Sequence, residues 1–94
     1  MENFAKIRRN DGRYNFTKPD GSFLSEEWFE LAGNFFEGFA NVSRGYGQWN
    51  IIKPDGTFLC EEWFEFVGDF YEGIAEVQRE NGEWCYLTTD GTLH

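Results

Sequence analysis

The chain has 94 residues, a length that suits one small domain covering residues 1–94. Seventeen Asp and Glu outnumber eight Lys and Arg, and the net charge of −9 argues against a nucleic-acid site built on clustered basic residues. Aromatic residues make up 20% of the chain and eleven residues are glycine, which favours a turn-rich β fold with rings in its core.

A period of 35 residues organises the chain. Residues 4–38 and 39–73 are identical at 20 of 35 positions without an insertion, and residues 74–94 form a third, partial copy. A fixed period of this length indicates a tandem-repeat architecture. The recurring positions include Phe4, Phe39 and Ile74; Ala5, Ala40 and Ala75; Gly12, Gly47 and Gly82; and Tyr14, Trp49 and Trp84.

Each copy begins with two predicted strands. In "FANVSR", which starts at residue 39, Ala40 and Val42 share one strand face. A glycine-bearing turn ("NDG", "GYG" or "ENG") leads into a second strand, "QWNIIK" in the second copy. The following "KPDG" is typical of a type I turn with a left-handed glycine, and "TFLC" predicts a third short strand. The predicted fold class is all-β, a tandem repeat of antiparallel β-hairpins in a solenoid-like or meander stack.

The last six residues of each full copy, "GNFFEG" and "GDFYEG", predict one short helical turn. Asn34 and Asp69 are candidate N-caps, and a glutamate lies three residues later in both copies. Gly38 and Gly73 would end the turn.

The chain resembles the WG repeats of bacterial proteins. The similarity rests on "GQWNIIKPDGTFL", "EEWFE", "FFEGFANV" and "FYEGIAEV", and it covers nearly the whole chain. Two departures are Tyr14 in place of a tryptophan and Asn50 or Cys85 in place of the glycine after the tryptophan. The resemblance implies an all-β repeat module that serves as an interaction scaffold, with no reaction and no named ligand.

The stretch "EEWFE" occurs twice and supplies the candidate binding residues. These are Glu27, Trp28 and Phe29 in the first copy and Glu62, Trp63 and Phe64 in the second. In an extended segment, neighbouring rings point to opposite faces. One ring can then enter the core of its own hairpin. The other either packs on the next repeat or stays exposed, where a ring beside carboxylates can bind a sugar, a cation or a basic peptide.

The sequence offers little for catalysis. Glu26 and Glu27 are adjacent, as are Glu61 and Glu62, so each pair divides between two strand faces. Two equivalent environments also differ from the two unequal carboxylates that acid–base catalysis needs. His94 is the single histidine, and the acidic turns lack the alternating ligands of a calcium loop. We therefore expect a protein that is not an enzyme and has no metal or cofactor.

The cellular setting follows from what the sequence lacks. It contains no apolar run of membrane-spanning length and no apolar stretch typical of a signal peptide. Cys60 and Cys85 are expected to be reduced, buried thiols. We expect a cytoplasmic protein without membrane contact.

Three functions compete at this point. A non-enzymatic module for protein–protein interaction fits the repeat and the aromatic surplus best. A carbohydrate- or cell-wall-binding module is the alternative, since "NGEWCYLTTDGTL" is similar to the aromatic hairpins of choline-binding repeats. An acidic inhibitor that imitates nucleic acid comes third. In addition, residues 1–18 carry five basic and two acidic residues, and residues 72–94 carry one basic and five acidic residues. This gradient favours head-to-tail self-association.

Overall fold

Three small antiparallel β-sheets make up the computed structural model, which describes residues 4–94. The predicted all-β class is confirmed, and no helix occurs within the described range. The eight strands are β1 (Ala5–Arg8), β2 (Tyr14–Thr17), β3 (Leu31–Ala32), β4 (Ala40–Gly45), β5 (Gln48–Ile52), β6 (Phe66–Val67), β7 (Ile74–Gln78) and β8 (Trp84–Thr88). Their orders are β1-β2, β3-β4-β5 and β6-β7-β8.

The two strands predicted at the start of each copy form an antiparallel hairpin in all three cases. We call β1-β2 hairpin 1, β4-β5 hairpin 2 and β7-β8 hairpin 3. Their registers correspond at a spacing of 35 residues: Ala5 faces Thr17, Ala40 faces Ile52 and Ala75 faces Leu87. The shared Gly-bearing turns fix the register. A slip by one residue would turn the small apolar side chains to the opposite face of the sheet.

The Asp-Gly turns of the three copies adopt the predicted left-handed glycine, with φ of 88°, 86° and 86° at Gly21, Gly56 and Gly91. The "TFLC" segment is shorter than predicted, since its backbone makes one isolated bridge, from Phe58 to Ile52. A buried side chain holds the last residue of this segment: the amide Nδ2 of Asn50 donates to the carbonyl of Cys60 at 2.8 Å. The chain therefore bends away here without forming a longer strand.

The predicted helical turn is wrong. Phe36 and Phe39 exchange both backbone hydrogen bonds across a two-residue turn, with φ of 53° at Glu37 and 87° at Gly38. Positive φ at both central residues marks the type I′ turn that suits β-hairpins. A helix here would lose the pairing of β3 with β4, and the cap-like residues at 34 and 69 lie outside any helix or strand. Glu72 and Gly73 form the same turn in the second copy.

Short connecting segments join the sheets by backbone hydrogen bonds. Phe29 exchanges N–H···O bonds of 2.7 and 2.8 Å with Tyr14 at the start of β2. Two residues later, β3 pairs with β4, placing Leu31 opposite Ser43. Residues 29–32 are thus bonded to hairpin 1 and to hairpin 2. Residues 64–67 do the same between hairpins 2 and 3.

Two apolar clusters fill the spaces between consecutive hairpins. The first contains the buried residues Phe16, Leu24, Phe29, Ala40, Val42 and Ile52. The second contains Ile51, Phe64, Val67, Phe70, Ala75, Val77 and Leu87. Because Ile51 and Ile52 alternate along β5, hairpin 2 contributes one face to each cluster.

Candidate interaction surfaces

The phenylalanines of the "EEWFE" segments lie inside the two clusters. Phe29 and Phe64 are completely buried, and the ring of Phe29 packs edge-on against Phe58 at a centroid distance of 6.0 Å. The backbone bridges to Tyr14 and Trp49 hold both residues in place. In this conformation neither ring is accessible to a ligand.

The neighbouring tryptophans are half-buried, and each lies beneath an arginine. The Cζ atom of Arg9 is 4.6 Å from the ring centroid of Trp28, and that of Arg44 is 3.9 Å from the ring centroid of Trp63. Cation–π contacts of this length stabilise a fold by ~0.5–1 kcal/mol at exposed sites. The outer face of each indole is therefore covered by a guanidinium of the same chain.

The two glutamates are bound by arginines of the following hairpin. Arg44 donates to both carboxylate oxygens of Glu27, at 2.6 and 3.0 Å. Arg79 does the same with Glu62, at 2.8 and 3.1 Å, and this hydrogen bond raises the pKa of Arg79. Arg44 thus connects Glu27 of the first copy with Trp63 of the second.

All six predicted binding residues make contacts within the chain. The contacts of the first copy, made by Glu27, Trp28 and Phe29, involve residues of hairpins 1 and 2. The contacts of the second copy, made by Glu62, Trp63 and Phe64, involve residues of hairpins 2 and 3. Ligand binding by them stays a prediction.

A different set of apolar side chains lies open on the third sheet. Phe66, Ile74, Trp84 and Tyr86 have 45%, 47%, 53% and 56% of their surface exposed. The register places them on one side of the sheet, because Phe66 faces Gln78, which faces Trp84, and Tyr86 faces Glu76. We call these four residues the end face. The ring centroids of Phe66 and Trp84 are 5.8 Å apart.

The same strand positions in hairpin 2 are covered. Ile51, which corresponds to Tyr86, is completely buried, and Phe39, which corresponds to Ile74, packs partly buried against the second cluster. Residues of the third copy provide that cover, among them Val77 and Leu87. Ile74 and Tyr86 are therefore exposed because, within residues 4–94, no following hairpin lies on them, whereas Leu31, the counterpart of Phe66, is itself 52% exposed.

The opposite end of the molecule has an open face of a different character. Ala5 is exposed and Ile7 and Thr17 are half-buried, and these three residues share one side of hairpin 1. Their counterparts in hairpin 2, Ala40, Val42 and Ile52, are at most 1% exposed. Nearby, Phe23 is 52% exposed. We call Ala5, Ile7, Thr17 and Phe23 the head face.

Acidic groups surround part of the end face. An open depression of about 450 Å³ is lined by Ile74 and Tyr86 together with Asp69, Tyr71, Glu72 and Glu76. A second groove, of about 390 Å³, runs along the edge of the molecule between Tyr14, Leu31, Trp49 and Phe66. Phe66 and Ile74 thus connect the end face to two concave regions.

No cluster in residues 4–94 has the composition of a metal site, since no three His, Cys, Asp or Glu residues lie close enough to hold an ion. Cys60 and Cys85 are free and half-buried, and burial followed by the charge of Glu62 raises the pKa of the Cys60 thiol. In the same described range, every buried side-chain nitrogen and oxygen has a hydrogen-bond partner. A helix that could cross the bilayer is also absent from this part of the chain.

No known protein-family model matches the chain, and no curated protein matches it with significant similarity. The resemblance to WG repeats therefore stays a prediction.

Sequence reasoning did not assign the end face. One signal was available, namely that Ile74 and Tyr86 correspond by the 35-residue period to Phe39 and Ile51, which are apolar positions of the preceding copy.

Proposed function

We propose that the chain is a non-enzymatic tandem-repeat module that binds another protein through its end face. The observation that carries this proposal is the exposure of Phe66, Ile74, Trp84 and Tyr86 on one side of one sheet. A contiguous exposed apolar surface in a soluble domain is typical of an interaction site, whereas scattered single residues are not.

The repeat architecture of the proposal is a stack of hairpins with a 35-residue period. It is supported by matching strand registers in the three hairpins, apart from a register shift between Ser43 and Gly45, and by equal bridges at Phe29 and Phe64. It is supported further by the two clusters, where Phe16 and Ile51 occupy matching positions against the next hairpin. In such an array each unit buries its apolar face against a neighbour.

The chemistry of the end face specifies the partner. Its exposed rings and Ile74 surround Glu76 on the central strand β7, and the carboxylates of Asp69 and Glu72 lie beside Ile74 and Tyr86. A matching protein surface has small apolar side chains that admit the rings of Trp84 and Tyr86, with Lys or Arg at its edge.

A photo-crosslinking phenylalanine analogue at position 86, activated in the source cells, tests this proposal. The matched control carries the analogue at position 46, because Tyr46 is fully exposed at the turn of hairpin 2 and does not belong to the end face. We expect a discrete protein adduct from position 86 and none from position 46. The captured protein, once purified, should bind Tyr86→Glu at least tenfold more weakly than the parent chain and bind Tyr46→Glu normally. Equal adducts at both positions, or equal affinity for both variants, would refute the proposal.

Carbohydrate binding is the second candidate, and the pairing of rings with polar groups favours it. Trp84 lies opposite Gln78, and Tyr86 lies opposite Glu76, on the same exposed side of the sheet. Aromatic rings beside hydrogen-bonding groups are a suitable platform for a sugar or a choline group. Tryptophan fluorescence titrated with choline and with cell-wall glycans is expected to respond in the parent chain. The response should vanish in Trp84→Ala if this function holds.

A further inference from the structure

We propose that the partner of the end face is the head face of a second copy of this chain, which gives head-to-tail assembly. This inference rests on the proposed protein-binding function and names its partner. It follows from a contact that the chain already makes within itself.

The contact between hairpins 2 and 3 is the template. On the side of hairpin 2, Phe39 and Ile51 enter the second cluster, and on the side of hairpin 3, Ala75, Val77 and Leu87 receive them. The contact between hairpins 1 and 2 has the same composition, with Phe16 against Ala40, Val42 and Ile52. Large side chains on one hairpin therefore pack on small and branched ones of the next.

The two open faces are the unfilled halves of this contact. Ile74 and Tyr86 occupy the positions of Phe39 and Ile51, so the end face supplies the large side chains. Ala5, Ile7 and Thr17 occupy the positions of Ala75, Val77 and Leu87, so the head face supplies the small and branched ones. Docking the end face of one copy on the head face of another repeats the hairpin-to-hairpin part of the template between chains, without the connector residues Phe64, Val67 and Phe70.

Charge supports the same pairing. The end face lies beside Asp69, Glu72 and Glu76. Residues 1–18, which include hairpin 1, carry a net charge of +3. Lys6 and Arg8 lie over Tyr14, on the other side of β1 from Ala5 and Ile7, so this charge acts at the level of the whole end of the molecule. Within the chain, arginine already links consecutive copies through Glu27–Arg44 and Glu62–Arg79. Opposite charges at the two ends favour end-to-head orientation over contacts between like ends.

The geometry of such a contact is heterologous, because the two surfaces differ. Each copy keeps one free end face and one free head face after binding, so assembly continues with concentration and does not close at a dimer. An isologous dimer, in which two end faces meet, would instead stop at two copies.

Sedimentation of complementary variants tests this directly. Tyr86→Glu disables the end face and Ile7→Glu disables the head face, and we expect both variants to fold because both positions are partly exposed. The parent chain should show a mass that rises with concentration up to about 1 mM, a range that detects even weak association. Each variant alone should be monomeric. Their equimolar mixture should form a dimer, because the intact head face of one meets the intact end face of the other.

Further variants keep the test decisive. Tyr46→Glu is the matched control and should associate like the parent chain. If circular dichroism shows that either charged variant is unfolded, Trp84→Lys and Ala5→Arg replace them at exposed positions of the same faces. A monomeric parent chain at about 1 mM, or a mixture that stays monomeric while the parent assembles, overturns the inference. A monomeric parent chain whose position-86 cross-link captures a different protein overturns self-association and leaves the proposed function standing.

Discussion

Gly21 and Gly56 occupy the same turn position in successive copies but have different surroundings. Both have positive φ, 88° and 86°, in the region that side chains with a Cβ rarely adopt. A Cβ added at Gly21 would meet nothing within 4 Å, whereas one at Gly56 would lie 2.6 Å from the carbonyl oxygen of Leu24. The second turn therefore rests directly on the backbone of the preceding copy.

This difference predicts unequal costs for the same substitution. Gly21→Ala should lower the free energy of unfolding by ~1–2 kcal/mol, because alanine is strained at positive φ. Gly56→Ala should lower it by a further ~1–3 kcal/mol, because the carbonyl of Leu24 is backbone and cannot move without disturbing the contact between copies. Urea denaturation of both variants measures the difference. Equal losses would show that the turn at Gly56 can shift away from Leu24 freely.

At the scale of the element, the hairpins were predictable and their connections were not. Alternation in "FANVSR" and the Gly-bearing turns act over a few residues, so local sequence specifies them. The bonds of Phe29 to Tyr14 and of Leu31 to Ser43 depend on where two hairpins lie in space. The mistaken helical turn has the same origin, since a glutamate–glycine pair suits both a helix end and a hairpin turn until the pairing of β3 is known.

The arginine contacts of the connectors provide an element-scale prediction. Arg44 binds Glu27 and covers Trp63, whereas Arg79 binds Glu62 with no ring of the described residues in cation–π range. Arg44→Ala should cost ~1–2 kcal/mol, the sum of a partly exposed ion pair and a cation–π contact. Arg79→Ala should cost ~0.2–1 kcal/mol, since it loses partly exposed ion pairs with Glu62 and Glu83 and no cation–π contact. Thermal or urea denaturation measures both, and a larger loss at Arg79 would contradict the assigned role of Trp63.

At the scale of the whole molecule, four aspartates tie stability to pH. A hydrogen bond from Arg9 lowers the pKa of Asp11 to about 2, from an ordinary value of 3.8. Hydrogen bonds from Ser22, Thr57 and Thr88 likewise lower the pKa values of Asp20, Asp55 and Asp90. A carboxyl group with a lowered pKa in the folded state stabilises the fold above its unfolded pKa. That contribution is lost as pH falls through the folded value.

We therefore expect the urea midpoint of the parent chain to fall as pH decreases from 5 to 2. The variant Asp11→Asn cannot titrate at this position, so its midpoint should lie below that of the parent at pH 5 and approach it near pH 2. Midpoints measured at four or five pH values test this. A gap between the two chains that stays constant down to pH 2 would show that Asp11 does not contribute through its charge.

The candidate site also belongs to the whole molecule. The sequence pointed to "EEWFE" because two adjacent rings in an acidic frame stand out locally. Burial of Phe29 and Phe64 and the arginines over Trp28 and Trp63 depend on the neighbouring copy. Ile74 and Tyr86 have no unusual local pattern, and they are exposed only because of their position in the order of hairpins. Such a surface depends on which hairpins pack next to each other, so it can be recognised only once the packing of the hairpins is known.

The connecting segments, finally, bear on how the molecule responds to mechanical load. Residues 29–32 are bonded on one side to the hairpin before them and on the other side to the hairpin after them, and residues 64–67 repeat this. Tension applied between the two termini passes through one connecting segment and then through the other. The molecule should then unfold in discrete steps, one hairpin at a time, and lengthen stepwise under load.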